Sequence, residues 1–503
     1  MRRLALGACV LVLAAAGCKS QPKAGAYLCS QSDAACPGDL TCICGQCVRR
    51  ETQAACSLSV VPHLGADPGL LEYERLDVDV TARTGGGNLA TEFGGTVSLA
   101  FELADGRRWC DVTPGTVKLV GGAATTRVFL NRETIAPQAP RLVARAGLAH
   151  GESARIDVAA APLAKDPDPV IRPVTTVPFY GANIAVAEPA VVMTARGLLL
   201  YYSAAASMGT STVVADPSIV VAALGEGCKH VDAAAPCTID ATLPPTRVLS
   251  PTAGTAYAQY VGSPAPLRAG ADVYLAFIGF DVATGVSLGV ARLVGGTALD
   301  PAGVRAPVFG SADCPTYCDG STFSPWLLAR PGGTSELYFS VLKPAPDLGA
   351  GASAPGAVVG RAVSTDLASF VPSPAPILNG EVGGETVLFG AKVLVDRGVY
   401  KVWYTYARDF AVGCGASWSV GYATSSDGLY WIRSPSNPVL EAGTVAWEQG
   451  STSVQLGSVL PLDGEDPANG LAFYYDAFPP QPLVAGATCL ANGVGRATAA
   501  APR

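Results

Sequence analysis

The chain reads as an all-β protein: a five-bladed β-propeller preceded by a β-sandwich and a small disulfide-rich segment. Three observations predict this. First, an aromatic, alternating strand followed by a glycine-containing strand recurs five times, at a period of roughly 60–75 residues. The five are Leu198 to Ser203 with Ser218 to Ala222, Val273 to Ile278 with Gly289-Val290-Ala291-Arg292, Leu337 to Ser340 with Gly360-Arg361-Ala362, Val399 to Tyr406 with Trp418 to Ser425, and Leu471 to Asp476 with Gly493 to Thr498. Such a unit cannot bury both its faces alone, so copies stack radially. Second, composition suits many short strands and turns: 57 Gly, 39 Pro and only 15% charged residues in 503. Third, β-branched and aromatic residues alternate with period two inside the repeats.

Taken in order, the first residues form an export signal. Arg2-Arg3 make a positive start and Leu4 to Ala16 an apolar run too short to span a membrane. The signal occupies 1–17 and a short polar tether 18–28. The segment 29–56 holds Cys29, Cys36, Cys42, Cys44, Cys47 and Cys56 and is too small for a core, so disulfides are expected to staple it. Its Cys-x-Cys-x₂-Cys spacing lacks the two-knuckle pattern of a zinc site. Residues 57–162 carry alternating strands at Leu76 to Ala82, Thr96 to Phe101, Thr116 to Val120, Ala124 to Leu130, Arg141 to Ala146 and Ala154 to Val158, the pattern of a sandwich. Residues 163–172, with Lys165-Asp166-Pro167-Asp168-Pro169, read as a proline linker, and 173–500 as the propeller.

The formal net charge of −7 and the lack of any Lys/Arg cluster argue against a nucleic-acid partner. Three scattered His residues (His63, His150 and His230) argue against a metal site or a Ser-His-Asp triad in the repeats, and no cofactor is expected.

Several stretches resemble known families. Ala15-Ala16-Gly17-Cys18 resembles the lipobox of bacterial lipoproteins, which implies cleavage before Cys18 and lipid on that residue. Lys19 is not the Asp that retains lipoproteins at the inner membrane, so the resemblance favours the outer membrane of a Gram-negative bacterium. Val117-x-Leu-x-x-Gly-x-Ala-x-Thr-x-Val128 and Gly151 to Val158 are similar to immunoglobulin-like domains of bacterial surface proteins, usually spacers. The Tyr-rich strand at Val399, Gly421-Tyr422-Ala423, Ser426-Asp427-Gly428 with Trp431, and Asn437-Pro438-Val439-Leu440 together resemble the five-bladed propeller glycosidases of the arabinanase, levansucrase and invertase group, families 43 and 32.

That resemblance implies a carbohydrate ligand and carboxylates on the innermost strands. Glu188-Pro189-Ala190 sits where the first-blade Asp-Pro base is expected, one methylene longer. Ser324 stands near the third-blade Asp, with Asp319 upstream; Phe389-Gly390-Ala391 stands at the fourth-blade acid, with Glu385 upstream. Glu188, Asp319 and Glu385 are therefore the candidate catalytic carboxylates, and Trp326 and Phe389 the candidate sugar-stacking aromatics. Each has a plainer alternative: Glu188 as a rim carboxylate bound to an Arg or a backbone amide, Asp319 and Glu385 as solvated loop charges, Trp326 as core. Two departures from three expected positions leave open a glycan hydrolase, a glycan binder, or a non-catalytic surface adhesion protein using the propeller to hold protein or glycan.

Of 15 Cys, Cys9 leaves with the signal and Cys18 takes lipid, which leaves thirteen. Cys228 with Cys237 and Cys314 with Cys318 are local pairs; Cys414 and Cys489, in equivalent loops of neighbouring blades, are expected to bridge, with Cys110 as the odd thiol. The last repeat ends without a following strand, so its outer edge should be covered from upstream of the first inner strand, by Val170 to Val177.

Overall fold

The structure is a computed structural model that describes residues 40–43, 46–49, 55–63, 69–71, 75–130, 139–147, 149–159, 163–172, 184–207, 214–230, 236–241, 244–314, 316–318, 321–342, 357–380, 385, 387–396, 398–407, 417–434, 437–462, 470–479 and 493–499. Among them are strands and four short 3₁₀ turns, with no α-helix.

Five blades of antiparallel strands make the propeller, the third and fourth joined into one sheet by a parallel bridge between Ala357 and Val387. Their innermost strands are Ile184–Thr194, Tyr260–Ala269, Ser321–Ala329, Val387–Asp396 and Ser453–Pro461. The second strands are Gly197–Ser207, Asp272–Asp281, Ser335–Leu342, Val399–Ala407 and Leu471–Phe478. Each inner strand packs beside the next, and the fifth packs beside the first, so the ring closes. The second strands carry the largest buried side chains, including Tyr201, Tyr338, Trp403, Tyr404, Tyr474 and Tyr475. These wedge between neighbouring blades, where an aromatic ring buries much area at little conformational cost.

Ring closure uses the start of the expected segment, Val170 and Ile171, together with residues before it. Leu163–Lys165, read from sequence as linker, is the outer strand of blade five, with Leu163 opposite Ala499 and Lys165 opposite Ala497. Ile171 then bridges Val494. Val174 to Val177 lie outside the described residues. Side chains decide the register: Lys165 donates to the fully buried Glu448 at 2.7 Å, and Arg496 to Asp166 at 2.8 Å.

Upstream, seven strands of the 57–155 region follow one hydrogen-bonded path that begins with Ala149–Arg155 and ends with Ser57–His63. These two come together: a Cβ on Gly151 would strike the Leu58 carbonyl. The core holds Val78, Val80, Val97, Leu99 and Phe101. Arg108–Lys118 is longer than the sequence suggests, because Pro114 and Gly115 fall in a bulge between Thr116, opposite Ser98, and Asp111, opposite Ala100. Cys110 lies on this strand opposite Phe101. In the Cys-rich segment, Leu40–Ile43 and Gln46–Arg49 form a hairpin with Cys42 opposite Cys47. Disulfides join Cys228 to Cys237, with Cα atoms 4.3 Å apart, and Cys314 to Cys318, at 5.2 Å. Cys414 and Cys489 lie outside the described residues, as does Cys18.

Candidate functional site

Every inner strand breaks register at the same level. The breaks follow Ala187, Gly262, Phe323, Phe389 and Leu456. In four blades the residue at the break has positive φ: Glu188 at 57°, Ser263 at 49°, Ser324 at 47° and Gly390 at 62°. That conformation is costly for anything but glycine, so something must hold it. A side chain on the second strand of the preceding blade does so, by accepting the N–H at the break. Asp476 Oδ2 accepts from Glu188 N at 2.6 Å, Ser203 Oγ from Ser263 N at 3.0 Å, Ser340 Oγ from Gly390 N at 3.0 Å, and Thr405 Oγ1 from Leu456 N at 3.0 Å. The acceptors occupy one register level, opposite Gln455, Ala187, Phe323 and Phe389. Blade two has Ile278 at that level, opposite Gly262, and no acceptor for Ser324.

Glu188 sits in this ring of clamps. Its Oε2 accepts from Ser203 Oγ at 2.6 Å and from Ser263 N at 2.6 Å, and its Oε1 accepts from Ser263 Oγ. The carboxylate thus ties blade one to blade two, the backbone-amide alternative among those raised by the sequence. Two further ionisable groups stand near. Asp476 is fully buried; burial drives its carboxyl well above the usual range, the Glu188 N–H pulls it down, and the charge of Glu188 pushes it further up. Its Oδ1 has no hydrogen-bond partner among the described residues. Lys392 is buried two residues after Gly390, and desolvation lowers its amine to about 8 against the attraction of Glu188 and Asp476.

Trp326 lies at the Lys392 level of the neighbouring blade, with the Lys392 Nζ 5.3 Å from its ring centroid. Its indole donates to the Val393 carbonyl at 2.9 Å. Below it a cavity of about 480 Å³ is lined by all five inner strands, with Val191, Leu267, Leu394 and Leu460 among its walls. Trp326 is thus buried between the polar cluster and this cavity, which it helps to line. The mouth, where the inner strands begin, carries a run of rings: Phe323 to Phe389 at 6.1 Å, Phe389 to Trp418 at 5.2 Å and Trp418 to Phe478 at 5.6 Å between centroids. Phe389 is buried in this run, while Phe323 and Trp418 are half-buried.

Glu385 lies elsewhere. It accepts from the Tyr404 hydroxyl at 3.0 Å and from Arg433 Nε at 2.8 Å, on the second and outer strands of blade four. Burial raises its carboxyl, and Arg433 opposes the shift. Blade five repeats the arrangement: Glu448 accepts from the Tyr475 hydroxyl at 2.7 Å and pairs with Lys165 of the outer strand. Tyr404 and Tyr475 each precede a clamp residue, Thr405 or Asp476. Glu385 is therefore a recurring lock within a blade. Asp319 lies outside the described residues.

Sequence reasoning missed Asp476, Lys392, Ser203 and Ser263. A signal for two of them was present: the strings LLLYYS, LYFS and LAFYYD all end on a hydrogen-bonding residue at the clamp level.

No protein-family model matches the chain, and no curated protein does. Among solved structures it is similar to a glycoside hydrolase at 17% identity, with 67% of this chain and 92% of that one covered and a TM-score of 0.48. It is also similar to a β-1,2-mannobiose phosphorylase from Listeria innocua at 12% identity, covering 67% and 96%, with a TM-score of 0.45. An α-L-arabinofuranosidase from Lactobacillus brevis aligns at 12% identity over 63% and 90%, with a TM-score of 0.42. The propeller assignment rests on the strand order and the closed ring described above.

Proposed function

We propose that the chain is a lipid-anchored cell-surface protein whose propeller binds an extracellular glycan at the channel mouth and does not cleave it. Cys18 carries the anchor, and the 57–162 region serves as an immunoglobulin-like spacer. One observation carries the non-cleaving reading: both oxygens of the Glu188 carboxylate are taken up by Ser203 and Ser263. Glycosidic hydrolysis needs two carboxyl groups that reach one bond from solvent. Here Glu188 is engaged in holding blades together, and Asp476 is sealed from solvent. Half-buried Phe323 and Trp418 at the mouth offer ring faces of the kind on which sugar C–H groups stack, which supports a glycan as the ligand.

The test is a polysaccharide panel presented to the full-length protein in detergent, with binding and release of reducing ends both measured. Binding without release is expected, with affinity reduced by Trp418→Ala. Turnover that disappears in Glu188→Gln would overturn the non-cleaving reading, and failure to bind any polysaccharide would overturn the glycan reading. Mass spectrometry of the mature amino terminus tests the anchor separately: an unacylated terminus, or one other than Cys18, refutes it.

A further inference from the structure

The clamp ring is interrupted once, where Ile278 replaces the hydrogen-bonding residue that blades one, three, four and five place at this level. A pocket of about 400 Å³ opens at that interruption, between blades two and three on the mouth side. This lies within the range of small-molecule sites, about 300–1,000 Å³. Ile278, Phe280 and Val286 of blade two form one wall and Phe323 and Leu342 of blade three the other, with the Tyr260 ring at one side. Among the described residues no charged side chain lines it, and Ser321 is a polar member of the lining. We propose that this seam is a second binding site, which takes an uncharged aromatic group.

The walls explain the ligand class. Tyr260, Phe280 and Phe323 present aromatic rings, and rings favour edge-to-face or offset contact with another ring. A charged group would lose its hydration there with no partner in return. The site is also pre-formed. Burial and the nearby charge of Glu188 keep the Tyr260 hydroxyl un-ionised. Gly262 lets the tyrosine lie in place, since a Cβ there would strike its hydroxyl. A polar clamp from blade two to Ser324 would draw the blades together as elsewhere; an isoleucine leaves the gap open and apolar. The two sites share the Phe323 ring, but the inference is tested apart from the glycan reading, because its probe carries no sugar and its variants, Val286 and Leu342, lie outside the run of rings at the mouth.

The experiment titrates the full-length protein in detergent with 2-naphthol, followed by fluorescence anisotropy, with n-octanol as competitor. Saturable binding of one naphthol per chain is expected, weakened at least tenfold in Val286→Trp, which fills the pocket, and in Leu342→Gln, which makes its rim polar. Leu342 is 37% exposed, so the second variant keeps the fold even if the first does not. Octanol should displace the probe only at far higher concentration. Non-saturable binding, or binding unchanged in a folded variant, overturns the site; equal competition by octanol overturns the aromatic class.

Discussion

Replacing Glu188 by Gln separates a clamp from a catalytic base. The wild-type carboxylate accepts three hydrogen bonds, two from Ser263 and one from Ser203. Hydrogen bonds to a charged acceptor contribute about 1.5–3 kcal/mol each, against about 0.5–1.5 for neutral pairs. Gln keeps the shape and one oxygen, so two bonds survive without charge assistance, and the Ser263 hydroxyl must turn to accept from the new amide. The loss comes to about 2 kcal/mol, or a melting point lower by roughly 4 °C. Ala at this position removes all three bonds and leaves the Ser263 N–H only its longer contact to Ser203 Oγ at 3.0 Å, for a loss of about 4 kcal/mol. The assay is urea denaturation of wild type, Gln and Ala variants in parallel with thermal melts. A Gln variant that melts within about 1 °C of wild type would refute the clamp, because a bare catalytic carboxylate can lose its charge without destabilising the fold.

Three further outcomes are expected. Between its folded value of about 8 and its ordinary 10.5, the Lys392 amine binds a proton more readily in the unfolded chain, so its contribution to stability climbs as pH rises through that window, by roughly 3 kcal/mol. Lys392→Met should lose that climb; parallel urea midpoints for the two proteins from pH 7.5 to 10.5 would exclude it, since tyrosine ionisation is common to both. Gly457→Ala would put a Cβ against the Pro189 carbonyl and 2.6 Å from Pro189 Cγ, both rigid, and should lower stability by about 2–3 kcal/mol through the contact of blades five and one; a neutral effect in thermal melts would show that the ring can relax there. Lys165→Met leaves Glu448 buried with only neutral partners, at a loss of about 3–5 kcal/mol, and should speed hydrogen exchange at Thr498, opposite Ala164, before the rest of the ring; uniform exchange would refute local opening.

The sequence by itself determined the class of fold and the number of blades. Aromatic second strands such as Leu471 to Asp476 repeat at blade spacing, and period-two burial is a local property that any one strand displays. Local disulfides were legible for the same reason: nine residues separate Cys228 from Cys237 and four separate Cys314 from Cys318. Glu188 could be picked out as a candidate, with backbone-amide binding among its open alternatives. Only the tertiary structure decided what Glu188 touches, because its partners Ser263 and Asp476 lie 75 and 288 residues away along the chain. The same holds for ring closure, where Lys165 meets Glu448 across 283 residues and turns an apparent proline linker into a strand. Glu385 differs again. Its residue type invited a chemical role, but Tyr404 and Arg433 surround it just as Tyr475 and Lys165 surround Glu448. A buried carboxylate looks the same in sequence whether it locks a blade or faces a ligand; its neighbours tell the two apart, and the closed ring brings those neighbours together.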